Sequence, residues 1–185
     1  EFGADTLRFT LITGQAPGND QRFRSDSVEA SRNFANKIWN ASRFLLMNLG
    51  EEKDLGLPEG LNRHDRWILD SFNAPVEKTT ALLEKYELGE AAHVVYDFLW
   101  GDFCDWYIEL SKLPLYSDNI IEKQGTQKVL YYVLEGTLRL LHPFMPFISE
   151  EIWQQLVRVE KGQALIRAAW PLPDEKLIDE RARCE

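Results

Sequence analysis

SVEASRNFANKIWNASRFLLMNL, residues 27–49, reads as one long amphipathic helix. At about 100° per residue, Val28, Phe34, Ala35, Ile38, Ala41, Leu45, Leu46 and Leu49 fall on one side, with Trp39 at its edge. Ser31 and Ser42 share that arc and are small enough to be tolerated there. Arg32, Asn33, Asn36, Lys37, Asn40 and Arg43 fall on the other side. Ser25 or Asp26 is the expected N-cap, with Glu29 three residues after Asp26, and Gly50 the expected C-terminal stop.

The flanking sequence repeats this pattern. Asp5 precedes Leu7, Phe9, Leu11 and Ile12, which predicts a helix over 3–13 capped by Asp5, followed by a turn-rich loop, GQAPGND. Residues 51–61 read as a charged loop. Asn62 or Asp65 starts a helix carrying Trp67, Ile68, Leu69, Phe72, Val76, Leu82 and Leu83, which Pro75 is expected to kink or divide. An aromatic-rich amphipathic segment runs from about 89 to 112, and a further helix from about 120 to 141. His142-Pro143 stops that helix, and a new one runs from Pro146 to about 157 with Ser149 as its cap. Only 163–168 hints at a strand. The expected fold is all-α: an antiparallel bundle of roughly four or five long helices with a short irregular C-terminal segment.

Composition bounds the function. The chain has 185 residues, 44% hydrophobic and 28% charged, enough for a core and too apolar for disorder. No apolar run reaches the roughly 20 residues that span a bilayer, so no membrane partner is expected. Cys104 and Cys184 lack neighbours at metal-ligand spacing, so no metal site is predicted, and free thiols in a reducing cytoplasm are the plainer reading. The net charge of -9 excludes a surface that is a nucleic-acid footprint throughout, but not a local basic face.

No phosphate-cradling glycine loop is present. His64, His93 and His142 are scattered and read as structural, and no catalytic residue is predicted. The carboxylate pairs Asp102/Asp105 and Glu150/Glu151 read as wet helix faces.

The 27–49 helix stands apart from this acidic background. Between Ala30 and Gly50 there is no acidic residue, while Arg32, Lys37 and Arg43 are present beside Asn33, Asn36 and Asn40. Cations of this kind take phosphates. Carboxamides offer donors and acceptors to exposed base edges, and an aromatic plane accepts an unstacked base. Phe34 borders the face, Phe44 falls within it and Trp39 lies on the opposite border. A solvated helix side over buried aromatics, with Phe34 in the core, fits the same residues.

Five stretches carry a family resemblance. Gly3-Ala4-Asp5-Thr6-Leu7-Arg8-Phe9 resembles a segment that class Ia aminoacyl-tRNA synthetases place after their KMSKS loop. VEASRNFANKIWNASRF, residues 28–44, is similar to the first helix of the anticodon-binding domain in the valine-specific branch. FCDWYIE (103–109) and LHPFMPFISEEIW (141–153) resemble later segments of that domain, and Trp170-Pro171 its extended close. The HPFMPF pattern is shared with isoleucine and leucine enzymes; the RNFANKIWN text is the specific part. Pro75 and Glu1 depart from the usual pattern.

The resemblance implies an anticodon-reading fragment of a ligase that uses ATP and magnesium to attach valine to its tRNA and edits errors. Catalytic, editing and coiled-coil parts are expected to lie outside the chain, leaving no cofactor and no enzymatic activity here. It implies a stem-contact segment (1–25), a helical anticodon domain (26–160) and a linker toward a coiled coil (161–185). The implied partners are a valine tRNA and the catalytic domain of the same parent chain, in the cytoplasm. The implied contacts are Arg32, Lys37 and Arg43 to phosphates or base edges, Asn33, Asn36 and Asn40 to bases, and Phe34 as a stacking ring. The alternatives are the matching domain of an isoleucyl-, leucyl- or methionyl-tRNA synthetase, or a helical protein-interaction module without RNA binding.

Overall fold

A computed structural model describes residues 2–14, 24–50, 56–58, 60–156 and 163–179. The helices are α1 (Ala4–Thr13), α2 (Ser25–Asn48), α3 (Arg63–Glu84), α4 (Leu88–Asp97), α5 (Ile108–Leu115), α6 (Ile120–Leu141) and α7 (Pro146–Leu156). A π-helical segment, Phe98–Tyr107, joins α4 to α5, so that 88–115 is one unbroken rod. No strand occurs among the described residues; 163–168 holds a 3-10 turn, Leu165–Arg167, where a strand was conceivable. The all-α expectation stands.

Local side-chain caps explain two of the helix starts. Asn62 caps α3 by accepting from Asp65 N at 2.9 Å, and Asn119 caps α6 by accepting from Glu122 N at 3.3 Å. α2 begins at Ser25, with Arg24 in the cap position and no side-chain cap bond, so neither Ser25 nor Asp26 caps it. At its far end Leu49 is extended and Gly50 is not left-handed, so the helix runs out without a glycine closure. Pro75 does not divide α3. It is buried beside Phe72 and Val76, and burying those side chains outweighs the ~3 kcal/mol that an interior proline costs.

Two capping expectations fail together. Ser149 lies inside α7, buried, with its hydroxyl on Met145 O at 2.7 Å and beside His142 Nδ1 at 2.8 Å. The N-terminus of α7 is capped instead by Asp5, whose Oδ1 accepts from Phe147 N (3.2 Å) and Oδ2 from Ile148 N (2.6 Å). Asp5 therefore ties α1 to α7 rather than capping its own helix, which opens on Gly3 without a side-chain bond. Pro146 in the first helical position needs no donor.

The core collects Phe34, Ile38 and Leu45 of α2, Ile68, Leu69 and Phe72 of α3, Phe103 and Tyr107 of the π-segment, and the apolar face of α6. A buried polar knot pins three of these elements. Tyr107 donates to Asp65 Oδ1 (2.6 Å), Thr126 donates to Asp65 Oδ2 (2.9 Å), and Asn62 Nδ2 donates to Thr126 Oγ1 (3.2 Å). Of the expected linker 161–185, the described residues 163–179 lie along α3 and α6, and the rest falls outside the described residues. Trp170 Nε1 donates to Thr80 Oγ1 (2.8 Å), Arg139 to Ala169 O (3.1 Å), and Asp174 and Asn73 exchange two bonds.

α6 meets α3 closely at Gly136. A Cβ there would stand 2.6 Å from Phe72 Cζ, and Phe72 is itself packed on Phe98 at 5.5 Å between centroids. Gly136→Ala gains up to about 1 kcal/mol of helix propensity. It loses about 1–3 kcal/mol to overpacking. The expected result is a net loss near 1 kcal/mol, read as a lower urea midpoint at unchanged slope.

Candidate nucleic-acid interface

The wet side of α2 faces a groove whose opposite wall is the π-segment and α5. Asn33, Asn36, Lys37, Asn40, Ala41 and Phe44 line it from α2; Cys104, Ile108 and Lys112 line it from the other rod. Its volume is about 470 Å³, within the size range of ordinary ligand sites. Spacing of three and four residues stacks Asn33, Asn36, Lys37, Asn40 and Phe44 along one stripe of α2. Cys104, Ile108 and Lys112 form the facing stripe, also four apart.

Asn33, Asn36 and Asn40 are exposed, and none of their carboxamides has a hydrogen-bond partner among the described residues. Each offers two donors and an acceptor to whatever enters. Lys37 reaches across the groove: its Nζ lies 2.5 Å from Asp105 Oδ1 and 3.7 Å from the centroid of the Trp100 ring. Lys112 pairs with Glu109 at 2.6 Å, and its Nζ lies 5.9 Å from the centroid of the Phe44 ring. Burial pushes the Cys104 thiol up to about 12, with Lys37 opposing the shift and Asp105 adding to it. A thiol held neutral in this way is apolar lining and not a nucleophile.

The remaining sequence candidates lie elsewhere. Phe34 is a correction: its side chain is 0% exposed, wedged between Phe9 (5.1 Å between centroids) and Tyr96 (4.6 Å), with Trp100 beyond at 6.5 Å. A ring enclosed by three others has no face left for a base. Arg32 pairs with Glu29 at 3.0 Å and sits 5.5 Å from the Phe2 ring, toward α1 and away from the groove lining. Arg43 is exposed but does not line the groove. Phe44, half-buried and on the carboxamide stripe, is the ring that is available. Its position four residues after Asn40 was the signal for it; Cys104, Ile108 and Lys112 become visible only once the two rods are brought together.

The other titratable groups serve the fold. Glu150 Oε2 accepts from Leu165 N at 2.8 Å and so holds the C-terminal segment. Burial lowers the His142 imidazole, against the opposing pull of Glu150 and Asp5. Burial raises the Asp102 carboxyl. Among the described residues, no three His, Cys, Asp or Glu side chains come together as metal ligands, and no helix is long and apolar enough to cross a membrane.

Comparison with known proteins bears on what such a groove takes. Residues 65–185 match the family model described as the anticodon-binding domain of tRNA ligase. The valine--tRNA ligase of Geobacillus stearothermophilus is 52% identical over 186 residues, covering 98% of this chain and 21% of that protein. The enzyme of the same name from Staphylococcus carnosus (strain TM300) is 47% identical over 186 residues, covering 99% and 21%. This chain thus spans about a fifth of the length of the curated relatives it matches. Among solved structures, the agnB2 LeuRS in a LeuRS-tRNA-LeuAMS ternary complex from Agrobacterium radiobacter K84 superposes with a TM-score of 0.72. It is 21% identical and the match covers 96% of this chain and 20% of that one, a likeness that speaks for the fold alone.

Proposed function

Because the chain belongs to the anticodon-binding domains of tRNA ligases, we propose that it reads the anticodon of a valine tRNA through the groove between α2 and the rod 88–115. The observation that carries this reading is the stripe of three unpartnered carboxamides ending on Phe44. A flat ring with polar edges suits it: Phe44 offers a stacking face, and Asn33, Asn36 and Asn40 offer donors and acceptors to the edges. Arg43, exposed one residue before Phe44, is available to the phosphate backbone of the same loop. Arg32 serves the backbone nearer α1.

Valine is preferred over leucine, isoleucine or methionine because relatives at 47% and 52% identity over nearly the whole chain are valine--tRNA ligases. On this reading the parent protein is an ATP- and magnesium-dependent ligase of the cytoplasm. Its catalytic domain, in the same chain, joins the amino acid to the tRNA end while this domain checks the anticodon. Selection and catalysis are, on this reading, divided between domains.

The test is binding of this chain to a valine tRNA transcript and to the same transcript with its anticodon replaced. Weak but anticodon-dependent binding is expected, since an acidic body of net charge -9 contributes little non-specific attraction. Equal affinity for the two transcripts would overturn the reading. Within that assay Phe44→Ala is expected to cost about 1–3 kcal/mol, the worth of one stacked base. Phe44 is half-buried and packs against the edge of the core, so Phe44→Ala should also lower the melting temperature, by less than the loss of a fully enclosed ring.

A further inference from the structure

The cations of the groove are already spoken for. Lys37 is held by Asp105, and Lys112 by Glu109. The two pairs differ in kind. Lys112 and Glu109 are neighbours on one helix, with side chains 40% and 62% exposed, a geometry that holds a lysine weakly. Lys37 is reached from the opposite wall by two groups at once, the Asp105 carboxylate and the face of Trp100, and its side chain is only 23% exposed. A carboxylate at the rim of an RNA groove works against phosphate unless a cation is fixed to it. Here it is, and the fixed cation is thereby withdrawn from the backbone.

We propose that Asp105 is a positioning residue that parks the Lys37 ammonium over Trp100 at the groove rim, so that the groove is charge-neutral, admits a base edge and turns away backbone phosphate. This rests on the reading of the groove as a base-binding site. The three open carboxamides suit a neutral guest, and they lose nothing when Lys37 is parked. A freely swinging Lys37 would instead seize the nearest phosphate of any single strand and bind every sequence alike, which blunts discrimination.

The test compares the wild-type chain with Asp105→Asn, Asp105→Ser, Lys37→Met and the Lys37→Met/Asp105→Asn double variant. Binding is followed by fluorescence anisotropy over a salt series, with a short single-stranded oligouridylate and with the two tRNA transcripts. Releasing Lys37 from the carboxylate in Asp105→Asn is expected to tighten oligouridylate binding about twofold to fivefold at low salt, the worth of one exposed ion pair. The slope of log affinity on log salt should steepen by about 0.7, one phosphate on a single strand. The ratio of affinities for the two tRNA transcripts should fall. Lys37→Met in the same background should remove the gain. Asp105→Ser gives the same answer should the asparagine variant fold poorly. An unchanged salt slope overturns the inference. So does a gain that survives Lys37→Met, since Asp105 would then act by its own repulsion. Equal wild-type binding of the two tRNA transcripts, with the oligouridylate gain intact, would overturn anticodon reading and leave the parking of Lys37 standing.

Discussion

Phe34→Ala is expected to remove about 3–5 kcal/mol of folding stability, the usual cost of truncating a fully enclosed aromatic ring. Phe34 is 0% exposed and joins three elements: its ring lies 5.1 Å from Phe9 of α1, 4.6 Å from Tyr96 of α4 and 6.5 Å from Trp100 of the π-segment. Deleting it opens a cavity that three stiff neighbours cannot fill. A domain whose whole stability is about 5–15 kcal/mol loses roughly a fifth or more of it. Urea unfolding without RNA reads the effect directly. A loss below about 1 kcal/mol would show that the ring is not the keystone of that aromatic cluster. The comparison with Phe44→Ala separates the two roles: both rings support the fold, but only Phe44→Ala should lower the tRNA affinity of the protein that remains folded. Whatever Phe34→Ala protein remains folded should still tell one anticodon from another.

Phe34 also shows where sequence reading ends. Its angle on α2 lies inside the apolar arc yet borders the asparagine face, so periodicity admits both core and surface. The decision is made by Phe9, Tyr96 and Trp100, which come from other helices. α2 itself was legible because its 24 residues repeat one apolar pattern for several turns, and the cap Asn62 because a cap is a local event. The groove stripe of Asn33, Asn36, Lys37 and Asn40 was legible for the same reason: one helix face is a one-dimensional object.

Features set by distant partners were not legible. Asp5 looks like a cap for its own helix and caps α7 instead, because it lies across the N-terminus of that helix. The rod 88–115 was readable as amphipathic, but its middle runs on a wider turn. Phe98, Phe103 and Ile108 are all buried at a spacing of five, and Ile108 N bonds Phe103 O. A π-helical stretch commonly marks a functional position, and this one brings Cys104 and Ile108 to the groove while turning Trp100 toward Lys37. A pattern search at 3.6 residues per turn does not find that spacing.

The same rod carries Tyr107, whose partner yields the second large prediction. Asp65→Ala is expected to cost about 3–5 kcal/mol, because it strands two enclosed hydroxyls and leaves a small void. Tyr107 and Thr126 are both 0% exposed, and Asp65 accepts from each, at 2.6 and 2.9 Å. Asp65→Asn keeps the shape and one acceptor, so it should cost less, and its cost should depend on pH. Burial raises the Asp65 carboxyl above its ordinary value, although the bonds from Tyr107 and Thr126 and the nearby His64 work in the opposite direction. A raised folded value means that the native state binds this proton more tightly than the unfolded chain. The stability that protonated Asp65 contributes is thus complete below the ordinary carboxylate value and is lost as pH rises through the raised one. Asparagine has no proton to lose. The stability gap between wild type and Asp65→Asn should therefore be widest in acid and narrow toward neutrality. Asp102 and Glu135 are also raised by burial but are common to both chains and cancel in the difference. Urea unfolding of the pair across a pH series checks the sign, and a gap that widened with rising pH would mean that the hydrogen bonds, rather than burial, dominate the carboxylate at the heart of the bundle.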